Sequence, residues 1–384
     1  MHQLLLFCIL ASQAIYISII RVEPDVKFKI IIPLAVNVLV FFCSPIQGGL
    51  SDYYCRKKGL IFALMINLIS SMFFVFWLIW NKPVYIITYI VMVGMAGNVI
   101  PVAISAFKDI TRKFMNFRFF VAIALFYYFL GDFSPVVSRY LISAKTILEI
   151  SFVILVISII LIFLLFKDVK DRDIPEKISL KVQLKYIYHN LITHKYILVG
   201  LLGSFFFQFS FFQVAFRTEA FKGFLTPLVP IEMISGSLLA ILFLKFSKIS
   251  DEKIFVSTLI FVFVVFLALL IGALIGITNE SYSIILLVLF GINYTLVYST
   301  LYSLFIRKRH HHDHGKIFGL LESIDAIAYV FAILLTFAIK IVPAFVLWSI
   351  SLSLFIVATI FFNRFLKHEK KMQDISSIKP KSLK

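Results

Sequence analysis

Residues 48–58 read Gly48-Gly49-Leu50-Ser51-Asp52-Tyr53-Tyr54-Cys55-Arg56-Lys57-Lys58. This short, charged stretch stands between two apolar runs, near 29–47 and 59–80. Each run matches the length of about 20 residues that a helix needs to cross a bilayer. A tight polar turn between two such runs is a membrane hairpin, and the same alternation continues in both directions. Further apolar segments lie near 3–20, 84–107, 118–139, 146–166, 195–216, 228–247, 254–277, 282–306, 316–339 and 342–363. The sequence therefore predicts an all-α membrane protein with twelve transmembrane helices. The opening run lacks a basic n-region, and Ala11-Ser12-Gln13-Ala14 is a poor cleavage site, so residues 3–20 read as an uncleaved first span.

Composition points the same way. Of 384 residues, 61% are hydrophobic and 15% charged, more apolar surface than one soluble core can hide. Forty-four Phe against 15 Gly and 11 Pro exclude disorder and collagen, and the long apolar runs exclude a membrane barrel, whose strands alternate over short segments. The net charge of +17 is explained by its placement. With the N-terminus inside, 28 of the 37 Lys and Arg fall on the cytoplasmic side and nine on the other. The excess puts both termini in the cytoplasm of a bacterial-type inner membrane, with the basic charge facing anionic lipid and not nucleic acid. Cys8, Cys43 and Cys55 show neither paired nor metal-ligand spacing.

The longest charged connection, 167–194, opens with Lys167-Asp168-Val169-Lys170-Asp171-Arg172-Asp173. It divides the chain into a first six-helix bundle at 1–166 and a second at 195–366, followed by a basic tail at 367–384. Leu50-Ser51-Asp52 is echoed 199 residues later by Ile249-Ser250-Asp251, where a parallel six-span repeat would place it.

The stretch quoted first resembles the loop signature of the major facilitator superfamily. Gly48, Asp52, Arg56 and Lys57 stand in register with it, while Tyr53 and Cys55 replace a basic residue and the second glycine. A small Gly lets two helices approach, Asp suits a helix N-terminus, and the basic run holds the loop inside. Gly94-Met95-Ala96-Gly97-Asn98 with Pro101, and His314-Gly315-Lys316-Ile317-Phe318-Gly319, extend the likeness over nearly the whole chain. The resemblance implies two pseudo-symmetric six-helix bundles rocking about a central cavity. It puts spans 1, 4, 7 and 10 on the cavity and 2, 5, 8 and 11 at the bundle interface, and it implies a monomer. The Arg that drug exporters of this superfamily carry in span 4 is replaced here by Ile90, and only Gly131 and Pro135 match their span 5 pattern.

Carboxylates inside a membrane are costly and usually face a cavity. The candidates are Asp132 in span 5, Glu232 at the start of span 8, and Glu322 with Asp325 in span 11. The last two are spaced i, i+3 on one helix face, where neighbouring carboxylates raise each other's hold on a proton. Structural ion pairs, for example to Arg139, are the alternative. Candidate cavity groups are Gln13 and Tyr16 in span 1, Asn98 in span 4, Ser204 and Gln208 in span 7, and Asn293, Tyr294 and Tyr298 in span 10, with Tyr302 one turn on. This uncharged set suits a polar or amphiphilic small molecule, and the same residues also serve to join helices. Among the phenylalanines around Gln208, Phe205 and Phe212 are expected to flank its face. Gly291 and Gly319 read as close-packing positions, and His310-His311-His312-Asp313-His314 as a solvated cytoplasmic loop, with pH sensing or weak metal contact as the alternatives.

No nucleophile with a His partner, phosphate-binding glycine loop or ATP-binding domain occurs. The chain is thus expected to be no enzyme, to need no cofactor or metal, and to draw on an ion or solute gradient. The leading expectation is proton-coupled export of a small organic solute. Uptake by symport and a non-transporting sensor or scaffold on the same fold are the alternatives, and a cavity with acids facing it separates the last from the others.

Overall fold

A computed structural model describes residues 26–53, 55–96, 99–110, 114–132, 144–167, 195–221, 228–276, 280–307, 314–338 and 344–378. All regular structure among them is helical. The helices are α1 (Val26–Tyr53), α2 (Arg56–Trp80), α3 (Pro83–Ala96), α4 (Val99–Ile110), α5 (Phe114–Asp132), α6 (Ala144–Leu165), α7 (Lys195–Phe221), α8 (Leu228–Phe246), α9 (Asp251–Leu274), α10 (Glu280–Ile306), α11 (His314–Ala338) and α12 (Ala344–Ile378). Lipid offers no partners for backbone N–H and C=O groups, so apolar runs of this length satisfy them internally as helices.

A helix stands at every expected segment from 29–47 onward, with α3 and α4 together covering the fourth. The expected span at 3–20 lies outside the described residues, as do Gln13 and Tyr16. Seven apolar stretches are long enough to cross a membrane, one of them formed by α3 and α4 together, and four helices contribute shorter ones, so the described residues do not show twelve spans. The last helix runs to Ile378, so the stretch assigned to the start of a basic tail is a continuation of α12.

Sequence chemistry sets the helix ends. Asn81 closes α2 in the left-handed region, φ 48°, which Asn tolerates, and its N–H bonds Trp77 O at 2.7 Å. Pro83 then opens α3, where a missing N–H costs nothing. Asp251 and Glu252 occupy the first turn of α9, where the dipole favours anions.

The outer surface is apolar and part of the interior is charged, as lipid demands. Phe246 is 75% exposed, whereas Arg118 is 1% exposed. Between the two parts of the chain, α1 packs on α11, α5 on α8 and α10, and α4 on α11. Small residues permit the closest approach: a Cβ at Gly48 would fall on the Gly315 carbonyl, and one at Gly319 on the Ser44 carbonyl. Gly291 meets the Met233 backbone in the same way, joining α10 to α8. Pro45 lies within α1 and has no N–H for the carbonyl of Phe41, one turn earlier. That carbonyl instead accepts from Ser323 Oγ of α11 at 2.6 Å.

Candidate functional site

A narrow cavity of about 60 Å³ lies where both parts of the chain meet. Asn37 of α1, Ile100 and Ile104 of α4, and Val121, Ala124 and Leu125 of α5 form one side. Phe212 of α7, Tyr294, Tyr298 and Tyr302 of α10, and Glu322, Asp325, Ala326 and Tyr329 of α11 form the other. The tyrosines recur every four residues, which in a helix puts them on one face. Their rings stack along α10, with centroids 4.9 Å apart for Tyr294 and Tyr298 and 5.5 Å for Tyr298 and Tyr302. Phe211 caps the column at 4.0 Å and Phe318 at 5.1 Å. Phe318 in turn stacks on Phe117 of α5 at 5.9 Å, so aromatic contact runs from the cavity to α5.

The carboxylate of Asp325 faces the Tyr298 hydroxyl, the Gln208 amide and Glu322. Gln208 is fully buried and donates from Nε2 to the Tyr294 hydroxyl at 3.0 Å. Two sets of residues that the sequence kept apart, the paired acids and the polar cavity groups, are thus one constellation. Asn293 turns away and donates to Leu289 O of its own helix at 2.7 Å. Ser204 is buried one turn before Gln208 and does not line the cavity. Asp132 ends α5 and Glu232 lies in the second turn of α8, with both side chains outside the described residues, as is all of Asn98. Phe207 and Phe211 pack against Tyr294 and Phe212 lines the cavity, while Phe205 lies against Phe206, Phe209 and Phe331. Spans 2, 5 and 11, which pack where the two parts of the chain meet, line the cavity as well.

The loop quoted at the outset closes one end of the molecule. Asp52 accepts from the backbone N–H groups of Gly315 at 2.9 Å and Lys316 at 2.8 Å, in the first turn of α11. There the helix dipole and unpaired N–H groups favour an anion. Arg56 pairs with Asp52, with Asp109 of α4 at 2.8 Å, and with Ser51 Oγ at 2.7 Å. Lys57 leaves this cluster and donates to Phe163 O at 2.8 Å. His314, expected in a solvated loop, is instead 1% exposed and sits 3.3 Å from Asp109; residues 310–313 lie outside the described set. Among the described residues, no three His, Cys, Asp or Glu side chains are grouped to hold a metal.

A second cluster at the same end was missed from sequence. Arg118 of α5 donates to Asp251 at 2.8 Å, to Ser247 O at 2.6 Å and to Ile249 O at 2.7 Å, while Ser303 of α10 holds the other Asp251 oxygen at 2.6 Å. Asp251 is the echo of Asp52, and α5 precedes α11 by almost the same offset. The repeat thus places an acid after the second helix of each half against the fifth helix of the other.

A family model described as Major Facilitator Superfamily matches residues 30–333. Among curated proteins no match is found. The fold is similar to the crystal structure of the human organic anion transporter MFSD10 (TETRAN), with TM-score 0.76, 14% identity, and 94% of this chain and 98% of that chain covered. It is also similar to FucP, a Major Facilitator Superfamily transporter solved in the outward conformation, with TM-score 0.72, 13% identity and the same coverage of both chains.

Proposed function

The chain belongs to the Major Facilitator Superfamily, and from that premise we propose that this membrane transporter moves a small organic solute by alternating access, in exchange for protons. The observation that carries the proposal is the pairing of Glu322 and Asp325 on the cavity wall beside the tyrosine column. Two carboxylates one helical turn apart in a low-dielectric site disfavour double ionisation, so at least one readily takes a proton. Asp132 and Glu232 are further candidates for the same work on sequence grounds.

Orientation follows from charge. The Lys and Arg excess lies at the end held by Asp52 and Asp251, which makes that end cytoplasmic, with both termini inside a bacterial-type inner membrane. The latches hold that end closed, and opening them would complete the cycle. The fold works as a single chain. Acids on a cavity favour transport over a non-transporting scaffold. Export is favoured over uptake on the short outer connections, the compact length and the Gly131 and Pro135 remnant in span 5.

The test compares small molecules inside cells and in their medium, with and without the gene, and again with Asp325→Asn. A compound retained inside the deletion strain and absent from its medium identifies an exporter. A compound left unconsumed identifies uptake instead, and no difference under broad conditions overturns transport. Unchanged movement in Asp325→Asn at normal expression overturns the role given to that carboxylate.

A further inference from the structure

The hydrogen-bonding groups around the cavity are unequally committed, and the imbalance specifies a ligand. Asn37 spends its amide nitrogen on Pro33 O at 2.8 Å, which leaves its carbonyl oxygen as the group available on the wall. The Gln208 amide nitrogen is engaged by the Tyr294 hydroxyl at 3.0 Å, and it also faces Asp325, which as a carboxylate can only accept. In the lining itself Oδ1 of Asp325 is left without a partner, as is the Tyr298 hydroxyl, which can donate or accept; Gln208, whose buried Oε1 is likewise unpartnered, stands behind the lining. Glu322 adds a second carboxylate one turn away, and the lining includes no Lys, Arg or His among the described residues.

The aromatic rings are largely taken up by one another. Tyr294 stacks on Tyr298, Tyr298 and Tyr302 pack at a tilt, and Phe212 and Tyr329 of the lining meet edge to face. A cation without N–H groups relies on aromatic faces for attraction. On the opposite side the α4 and α5 residues Ile100, Ile104, Val121 and Leu125 are all apolar.

We propose that this cavity binds a small protonated amine, its ammonium N–H groups donating to Asp325 and the neighbouring acceptors and its apolar body lying against α4 and α5. The proposal rests on the transport reading for its physiological use, but binding is testable without transport. A ligand carrying positive charge and several donors on one end matches both the charge and the acceptor surplus. A carboxylate ligand meets the negative charge that the acid pair carries, a neutral alcohol leaves that charge uncompensated, and a quaternary ammonium supplies no donor.

The experiment uses the purified full chain in lipid nanodiscs near neutral pH. The probes are a panel of primary alkyl- and arylalkylamines, with phenethylamine as the reference. Its N,N,N-trimethyl derivative and phenethyl alcohol serve as shape-matched controls. Binding of at least one primary amine is expected, weakened about tenfold or more in both matched controls and in Asp325→Asn, since hydrogen bonds to a charged group are what each change removes. Thermal unfolding of the unliganded Asp325→Asn variant checks that it folds, and Gln208→Leu is a second variant expected to weaken amine binding. Failure of every amine to bind, equal binding of the alcohol or the trimethyl derivative, or undiminished amine binding by folded Asp325→Asn overturns the proposal. A neutral or acidic solute moved in the cellular comparison overturns it while leaving transport standing. An amine that binds but is not moved in proteoliposomes upholds this site and overturns the transport reading.

Discussion

Arg118 on α5 lies buried against Asp251 at the head of α9, with Nη1 2.8 Å from Oδ1, and so ties the two parts of the chain together. The guanidinium also satisfies two loop carbonyls, Ser247 and Ile249. Removing it strands a carboxylate and two acceptors at once. Arg118→Met is expected to cost about 3 kcal/mol or more in thermal unfolding in detergent, in the range for breaking a buried pair. Asp251→Asn, which keeps the carbonyl contacts, is expected to cost less, and the double variant less than the sum. Additive costs would show that the pair is not coupled.

Gly48→Ala tests the backbone contact between α1 and α11. Its Cβ would fall on the Gly315 carbonyl, main chain that has no rotamer with which to yield. Overpacking of this kind costs about 1–3 kcal/mol, and here the cost falls only on the closed arrangement. Alkylation of Cys55, in a background with Cys8 and Cys43 replaced by Ser, is expected to speed up accordingly. An unchanged rate would mean that this end does not open.

Ser323→Ala should destabilise the chain by about 1 kcal/mol, since the Phe41 carbonyl loses its donor. Pro45→Ala supplies an N–H to that same carbonyl from within α1. The Ser323→Ala penalty is therefore expected to shrink in the Pro45→Ala background, as read by a double-mutant cycle of melting curves.

The ion cluster at Asp52 predicts an order of effects. Arg56→Gln leaves both Asp52 and Asp109 without their guanidinium, whereas His314→Ala removes only one neighbour of Asp109. Cys55 alkylation should accelerate more in Arg56→Gln than in His314→Ala. The reverse order would assign the closure to the histidine.

The helices were legible because hydropathy over about 20 residues is a local property and lipid leaves the backbone one solution. Asp52 was legible for a related reason: its loop carries its own chemistry within eleven residues, 48–58. Asp251 was visible only as an echo, and its partner Arg118 was not, because 133 positions separate them and nothing local marks the pairing. His314 was misread because a run of histidines looks solvated, and only the fold brings Asp109 to it. The convergence of Gln208, Tyr298 and Asp325 depends on how α7, α10 and α11 pack, which periodicity within each helix does not encode.

The two latches differ in what heredity can reach. On the α11 side, Asp52 is held by main-chain amides that every residue except proline supplies. Substitutions at Gly315 or Lys316 therefore leave the donors in place, and drift alters this contact by bulk or from the other side, through Asp52 and its partner Arg56. Asp251 depends on the Arg118 and Ser303 side chains, each one codon change from loss. Variation among descendants of this chain is therefore expected to accumulate at the second latch, with the first acting as the fixed reference against which the opening bias is tuned.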